Sequence, residues 1–169
     1  MNHPMHTASV PVFKQILNSL DAILTKAEEH ASTKKIDASV FLQARLSPDM
    51  FPLIRQVQIA ADFAKGVSAR LAGVPVPEFE DSEVSFADLH ARIAKTLLFI
   101  QELDANSFDE SETQEIVLRP GTPKEKKLSG SAYLFGYGLP QFFFHATTTY
   151  AILRHNVVEL GKRDFMGEY

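Results

Sequence analysis

Pro140-Gln141-Phe142-Phe143-Phe144-His145-Ala146-Thr147-Thr148-Thr149-Tyr150-Ala151-Ile152-Leu153-Arg154-His155-Asn156 is the stretch whose reading decides the architecture. Gly138-Leu139-Pro140 opens a helix, with the proline in the first turn, where a missing N–H costs nothing. Phe142, Phe143, Ala146, Tyr150, Leu153 and Val157 carry the apolar pattern on to Leu160, and Gly161 is the expected C-terminal cap, with Lys162 and Arg163 beyond it. Gln141 and His145 stand one turn apart on one face, an arrangement used when two side chains meet one ligand. Two histidines there would read as a metal clip; the glutamine makes the reading different. Three consecutive phenylalanines point in successive directions, so at least one must be covered by the hairpin, another helix or a second subunit.

Working back from that helix, Glu115-Ile116-Val117-Leu118 is strand-like, Pro120-Gly121 is a turn, and Lys127-Leu128-Ser129-Gly130 can pair back as a hairpin. Ser85-Phe86-Ala87-Asp88 has the form of a capping box with aspartate for glutamate, and Phe86, Leu89, Ile93, Leu97 and Ile100 predict a helix to about Leu103. Ser47-Pro48-Asp49 reads as a helix start with Ser47 as N-cap. The helix it opens runs to Leu71 along Met50, Ile54, Val57, Ala61, Ala64 and Ser68, and Gly73, Pro75 and Pro77 end it. Residues 31–46 read as a connector with a short helical turn, and residues 8–30 as an amphipathic helix with Phe13, Ile16, Leu17, Leu20, Ile23, Leu24 and Ala27 on one stripe. Four substantial helices with one hairpin before the last predict an all-α four-helix bundle, residues 1–169 forming one domain.

The composition sets the outer limits. At 169 residues, with 45% hydrophobic and 22% charged residues, the chain is an ordinary globular domain. A formal net charge of -4 argues against nucleic acid, and the Lys124 to Lys127 cluster reads as a solvated loop. No cysteine is present, which excludes disulfides, thiolate metal sites and a cysteine nucleophile and fits a cytoplasmic location. Met1 to His6 lacks the charge and apolar run of a signal peptide, and no stretch reaches the ~18 apolar residues of a membrane span.

Leu46-Ser47-Pro48-Asp49-Met50-Phe51-Pro52-Leu53-Ile54-Arg55-Gln56-Val57-Gln58-Ile59-Ala60, Tyr133-Leu134-Phe135-Gly136-Tyr137-Gly138-Leu139-Pro140-Gln141 and Leu153-Arg154-His155-Asn156 together resemble an uncharacterised bacterial branch, of unknown function, of the DinB/YfiT-like superfamily. The resemblance spans nearly the whole chain. It implies a four-helix bundle, commonly dimeric, often with a divalent metal such as zinc or nickel on three histidines: one from the second helix and two from an H-x-x-x-H pattern on the last. Characterised members of the superfamily include thiol-dependent transferases and hydrolase-like enzymes. Such imidazoles converge on one ion and leave a position open for water or a substrate thiol. Carried over residue by residue, with Leu153-Arg154 fixing the register, the triad becomes Gln58, Gln141 and His145. A glutamine amide oxygen is a weak, neutral ligand for such metals.

Gln58, Gln141 and His145 would converge in the bundle interior in that register, with Asp62 one turn past Gln58. Three readings are open: a hydrogen-bonded polar cluster, a pocket for a small molecule, and a metal site on His145. Asp62 either orients a pocket amide or pairs with a cation such as Lys65. His155 lies ~15 Å along the axis from His145 and cannot share its ion. His90 reads as a packed or surface residue, and no serine or threonine has a nucleophile-elbow context. The expected protein is a homodimeric structural or small-ligand-binding bundle without a cofactor, meeting neither nucleic acid nor membrane. The alternative is a metal-dependent transferase or hydrolase-like enzyme using His145 as metal ligand or general base.

Overall fold

A computed structural model describes residues 3–169, organised as α1 (Pro4–Thr7), α2 (Val10–Lys34), α3 (Ala38–Leu42), α4 (Leu53–Leu71), α5 (Phe86–Gln101), β1 (Glu115–Leu118), β2 (Lys126–Ser129), α6 (Gly130–Tyr133), α7 (Leu139–His155) and α8 (Lys162–Met166). A 3-10 turn, Ala105–Phe108, precedes β1, and a π-helical stretch, Leu134–Gly138, joins α6 to α7. The long helices pack in a closed ring: α4 against α5 and α7, and α2 against α5 and α7.

The stripe on α2 explains why that ring closes. Phe13, Leu17, Leu20, Ile23, Leu24 and Ala27 are fully buried, each large one contributing about 2 kcal/mol by leaving water. Lys35 in the left-handed conformation caps the helix, its N–H reaching Ser32. Helix α5 starts at the expected capping box: Ser85 Oγ accepts from Asp88 N–H at 3.2 Å, and Asp88 accepts from Ser85 N–H at 2.9 Å. The hairpin is antiparallel, with Ile116 opposite Leu128 and Glu115 opposite Ser129.

Several helix boundaries differ from expectation, and α2 itself runs on to Lys34, through residues read as connector. Helix α4 begins at Leu53, not Ser47. Pro52 drives Phe51 away from helical backbone, so Ser47 closes a separate turn to Met50 N–H at 3.0 Å. Helix α7 ends at His155, not Leu160. Asn156 places its side-chain amide on the Ile152 carbonyl at 2.8 Å, Val157 takes φ 59°, and the chain turns Val158 and Leu160 into the core. Gly161 therefore opens α8 instead of closing α7, its N–H donating to Asp164 at 2.7 Å. The tail is ordered: Lys26 meets Asp164 at 2.6 Å and Gln15 donates to the Met166 carbonyl at 2.8 Å.

The last helical segment also begins earlier than the sequence indicates. Gly130 is buried so tightly that a Cβ there would lie 1.7 Å from the Ser111 carbonyl oxygen, and its N–H meets Gln114 at 2.9 Å. Gly138 lies against Val67, where a Cβ would come within 2.7 Å of a methyl group. These contacts bring the π-helical stretch, with Tyr133 and Tyr137, alongside α4.

Candidate functional site

Helix α4 carries four buried polar side chains, Gln56, Gln58, Lys65 and Ser68, more than any other helix among the described residues. Its residue Gln56 follows Leu53 by three and precedes Ala60 by four, so it lies on the core face and is buried. Its amide nitrogen donates to the Phe51 carbonyl at 3.0 Å, which turns the amide oxygen toward His145 Nδ1 at 2.7 Å. A carbonyl oxygen only accepts, so Nδ1 carries the proton and Nε2 keeps a lone pair. His145 is 8% exposed, stacked on Phe63 at 6.1 Å and edge-on to Phe144 at 5.2 Å. Burial holds this imidazole below its ordinary pKa, and the positive charge of Arg55 lowers it further.

Gln58 meets different partners. Its oxygen accepts from Arg55 at 3.1 Å and its nitrogen donates to Glu83 at 2.7 Å. Glu83 also accepts from Arg92 at 2.8 Å, and Arg92 reaches Asp62 and Asp81, each at 2.9 Å. Arg55 pairs with Asp81 as well, and Lys65 pairs with Asp62 at 2.9 Å. The Arg92 side chain is only 1% exposed. Burial disfavours its charge, but hydrogen bonding to Glu83 and attraction to Asp62, Glu83 and Asp81 outweigh that and raise its pKa. At Asp81, partial burial opposes ionisation, and Arg55 and Arg92 together reverse it to a lowered pKa. Three acids balance three bases, and the network ties residues 81–83 onto α4 and α5.

The expected site residues are therefore divided. Gln58 and Asp62 belong to one network through Glu83 and Arg92, whereas His145 is bonded to Gln56. Gln141 is half-buried and makes no side-chain hydrogen bond among the described residues. Asp62 meets the cation reading, on Lys65 and Arg92. His90 bonds Asp21 at 2.6 Å, and His155 lies in the exposed last turn of α7. Gln56 and Arg92 were missed, though each sits on an apolar helix face, Arg92 between Leu89 and Thr96. A charged group in that position signals a buried, paired side chain. Asp81 and Glu83 carry no comparable signal, because they lie in a segment without periodicity.

The triad positions fit a metal poorly. The Gln58 oxygen already faces the Arg55 guanidinium, so a cation there would meet a second positive charge. Among the described residues, no group of three or more histidines and acids is arranged to hold an ion.

A hollow opens beside Phe63. This cavity of about 250 Å³ lies between α4, the end of β1 and the π-helical stretch. Asp62, Phe63, Val67 and Arg70 line it from α4; Leu118, Arg119, Tyr133 and Tyr137 complete it. Tyr137 stacks on Tyr133 at 5.9 Å and meets Phe63 edge-on at 5.7 Å, so the wall is aromatic.

Residues 5–166 match the model of a family described as Domain of unknown function (DUF1993). A solved structure described as a DinB family member protein from Shewanella denitrificans is 41% identical, with a TM-score of 0.91, over 97% of this chain and 92% of that one. No curated protein matches the chain.

Proposed function

The chain belongs to the DUF1993 family, and on that premise we propose that it is a small-molecule-binding protein built as a DinB/YfiT-like four-helix bundle with a degenerate metal triad. The observation that carries this reading is the aromatic-walled cavity of about 250 Å³ beside Asp62. It is concave, largely apolar and bordered by a few charged groups, the usual constitution of a ligand site, at slightly below the ~300–1,000 Å³ of sites for drug-sized molecules. His145 supports it by stacking on Phe63, Asp62 lines it directly, and Gln58 helps hold α4 through Arg55 and Glu83. A fragment panel followed by NMR tests the reading. Ligands should shift the ring signals of Phe63, Tyr133 and Tyr137, and a panel that leaves all three unmoved overturns it.

The protein is further proposed to be a homodimer through α7 and the first or third long helix, α2 or α5. Phe144 on α7 is 55% exposed and Leu98 on α5 is 53% exposed, large apolar groups that a second subunit would cover. A monomer in light scattering at micromolar concentration would remove this part of the proposal.

The second reading, an enzyme using His145, is favoured by the tautomer that Gln56 enforces. A buried, neutral imidazole with a lone pair on Nε2 is a competent general base, with Gln58 and Gln141 as the groups that would position a substrate. Elemental analysis separates its metal-dependent form: a stoichiometric ion lost in His145→Ala would support it, and no ion after incubation with zinc, nickel or manganese would retire it.

A further inference from the structure

The cavity beside Phe63 has a charge opposite to that of the chain as a whole. The protein's formal net charge is -4, yet two arginines, Arg70 and Arg119, line this hollow. Neither has an acidic partner among the described residues. Arg70 holds the Gly66 carbonyl at 3.0 Å and the Tyr133 hydroxyl at 3.3 Å, two of the five N–H bonds a guanidinium can make. The one lining carboxylate, Asp62, is already bracketed by Lys65 and Arg92.

Two further features point the same way. Tyr133 is buried, and burial raises its pKa, so its hydroxyl stays protonated. The oxygen accepts from Arg70, and the proton has no acceptor among the described residues. Arg119 has φ 52°, a left-handed conformation that costs a branched or long side chain about 1–2 kcal/mol. It is kept there by the turn: Thr122 donates its hydroxyl to the Arg119 carbonyl at 2.9 Å. The turn thereby fixes where the Arg119 side chain starts at the cavity edge.

We propose that the cavity binds a small aromatic carboxylate, its carboxyl group held by Arg70, Arg119 and the Tyr133 hydroxyl and its ring against Phe63 and Tyr137. The proposal rests on the small-molecule reading above and names the ligand class of that same site. A carboxylate accepts the planar fork of a guanidinium and the tyrosine proton together, and a flat ring suits an edge-to-face aromatic wall. The volume is ample for a single ring with its acid group.

Benzoate and its neutral counterpart benzamide are the probes, titrated by NMR into the full chain and into Arg119→Gln and Tyr133→Phe. Benzoate should shift the Phe63 and Tyr137 ring signals and bind at least tenfold more tightly than benzamide, and Arg119→Gln should lose about tenfold in benzoate affinity with benzamide unchanged. Arg119 is exposed in the hairpin turn, so its substitution leaves the fold intact, as circular dichroism checks. If benzamide binds as well as benzoate, the carboxylate class is overturned and the small-molecule reading stands. If neither probe shifts those signals at millimolar concentration, the carboxylate proposal fails, and the neutral fragments decide the broader reading on the same signals.

Discussion

The ion-pair network around Arg92 and the hollow beside Phe63 differ in how far their polar groups are committed. In and around the network, the Gln56 amide bonds Phe51 and His145, the Gln58 amide bonds Arg55 and Glu83, and Arg92 meets three carboxylates. In the hollow, Arg70, Arg119 and Tyr133 stand without an acidic partner for either arginine among the described residues. Both regions hold charged groups, and both draw on α4. A polar cluster whose members satisfy one another holds the fold together; a binding site is recognised by donors that the protein leaves unmatched.

Breaking the committed side should cost the most. Arg92→Leu removes the hub and leaves Glu83, a half-buried acid, with only Gln58; a loss of about 3–5 kcal/mol is expected in urea unfolding. A loss below about 1 kcal/mol would show that the acids are solvated without it. Gln56→Leu strands the His145 Nδ1 proton and should cost about 1–3 kcal/mol. The same variant should shift the tautomer, read by long-range nitrogen–proton correlation, and an unchanged tautomer would contradict the assigned bond.

The pH dependence sharpens the contrast. His145 has a lowered pKa when folded, so the unfolded chain binds the proton more readily. Its contribution to stability is present above the unfolded value of about 6.5 and is lost as pH falls toward the folded value. His145→Gln should therefore flatten the stability profile below neutrality, and a profile parallel to that of the unaltered protein would refute the assignment. On the uncommitted side, Arg119→Gly should leave stability within about 0.5 kcal/mol or raise it, because glycine accepts the left-handed backbone that arginine resists. A loss above 1 kcal/mol would mean that the Arg119 side chain is a packing group after all.

Much of the fold was legible because it rests on local rules. The α2 stripe, the Ser85–Asp88 capping box and the Pro120-Gly121 hairpin each depend on neighbours within a few residues, and each stands where it was expected. The misplaced boundaries are those where a second signal competed: Pro52 against the Ser47 start, and Asn156 against the run toward Leu160. The candidate site was less legible. Gln58 and Gln141 differ from Gln56 by nothing that residue type records, and only the placement of Phe51 and His145 selects Gln56 as the buried bond.

The sequence by itself determined the helices, the hairpin and the absence of cysteine chemistry, since periodicity, caps and composition are properties of short stretches. Tertiary structure alone decided which polar groups are matched. Arg92 finds Asp81 and Glu83 across the loop that precedes α5, Gly130 and Gly138 let Tyr133 and Tyr137 reach α4, and Arg119 arrives at their side from the hairpin. Hydrogen bonds and ion pairs act over a few ångströms, and residues tens of positions apart come within that range only when the chain has folded.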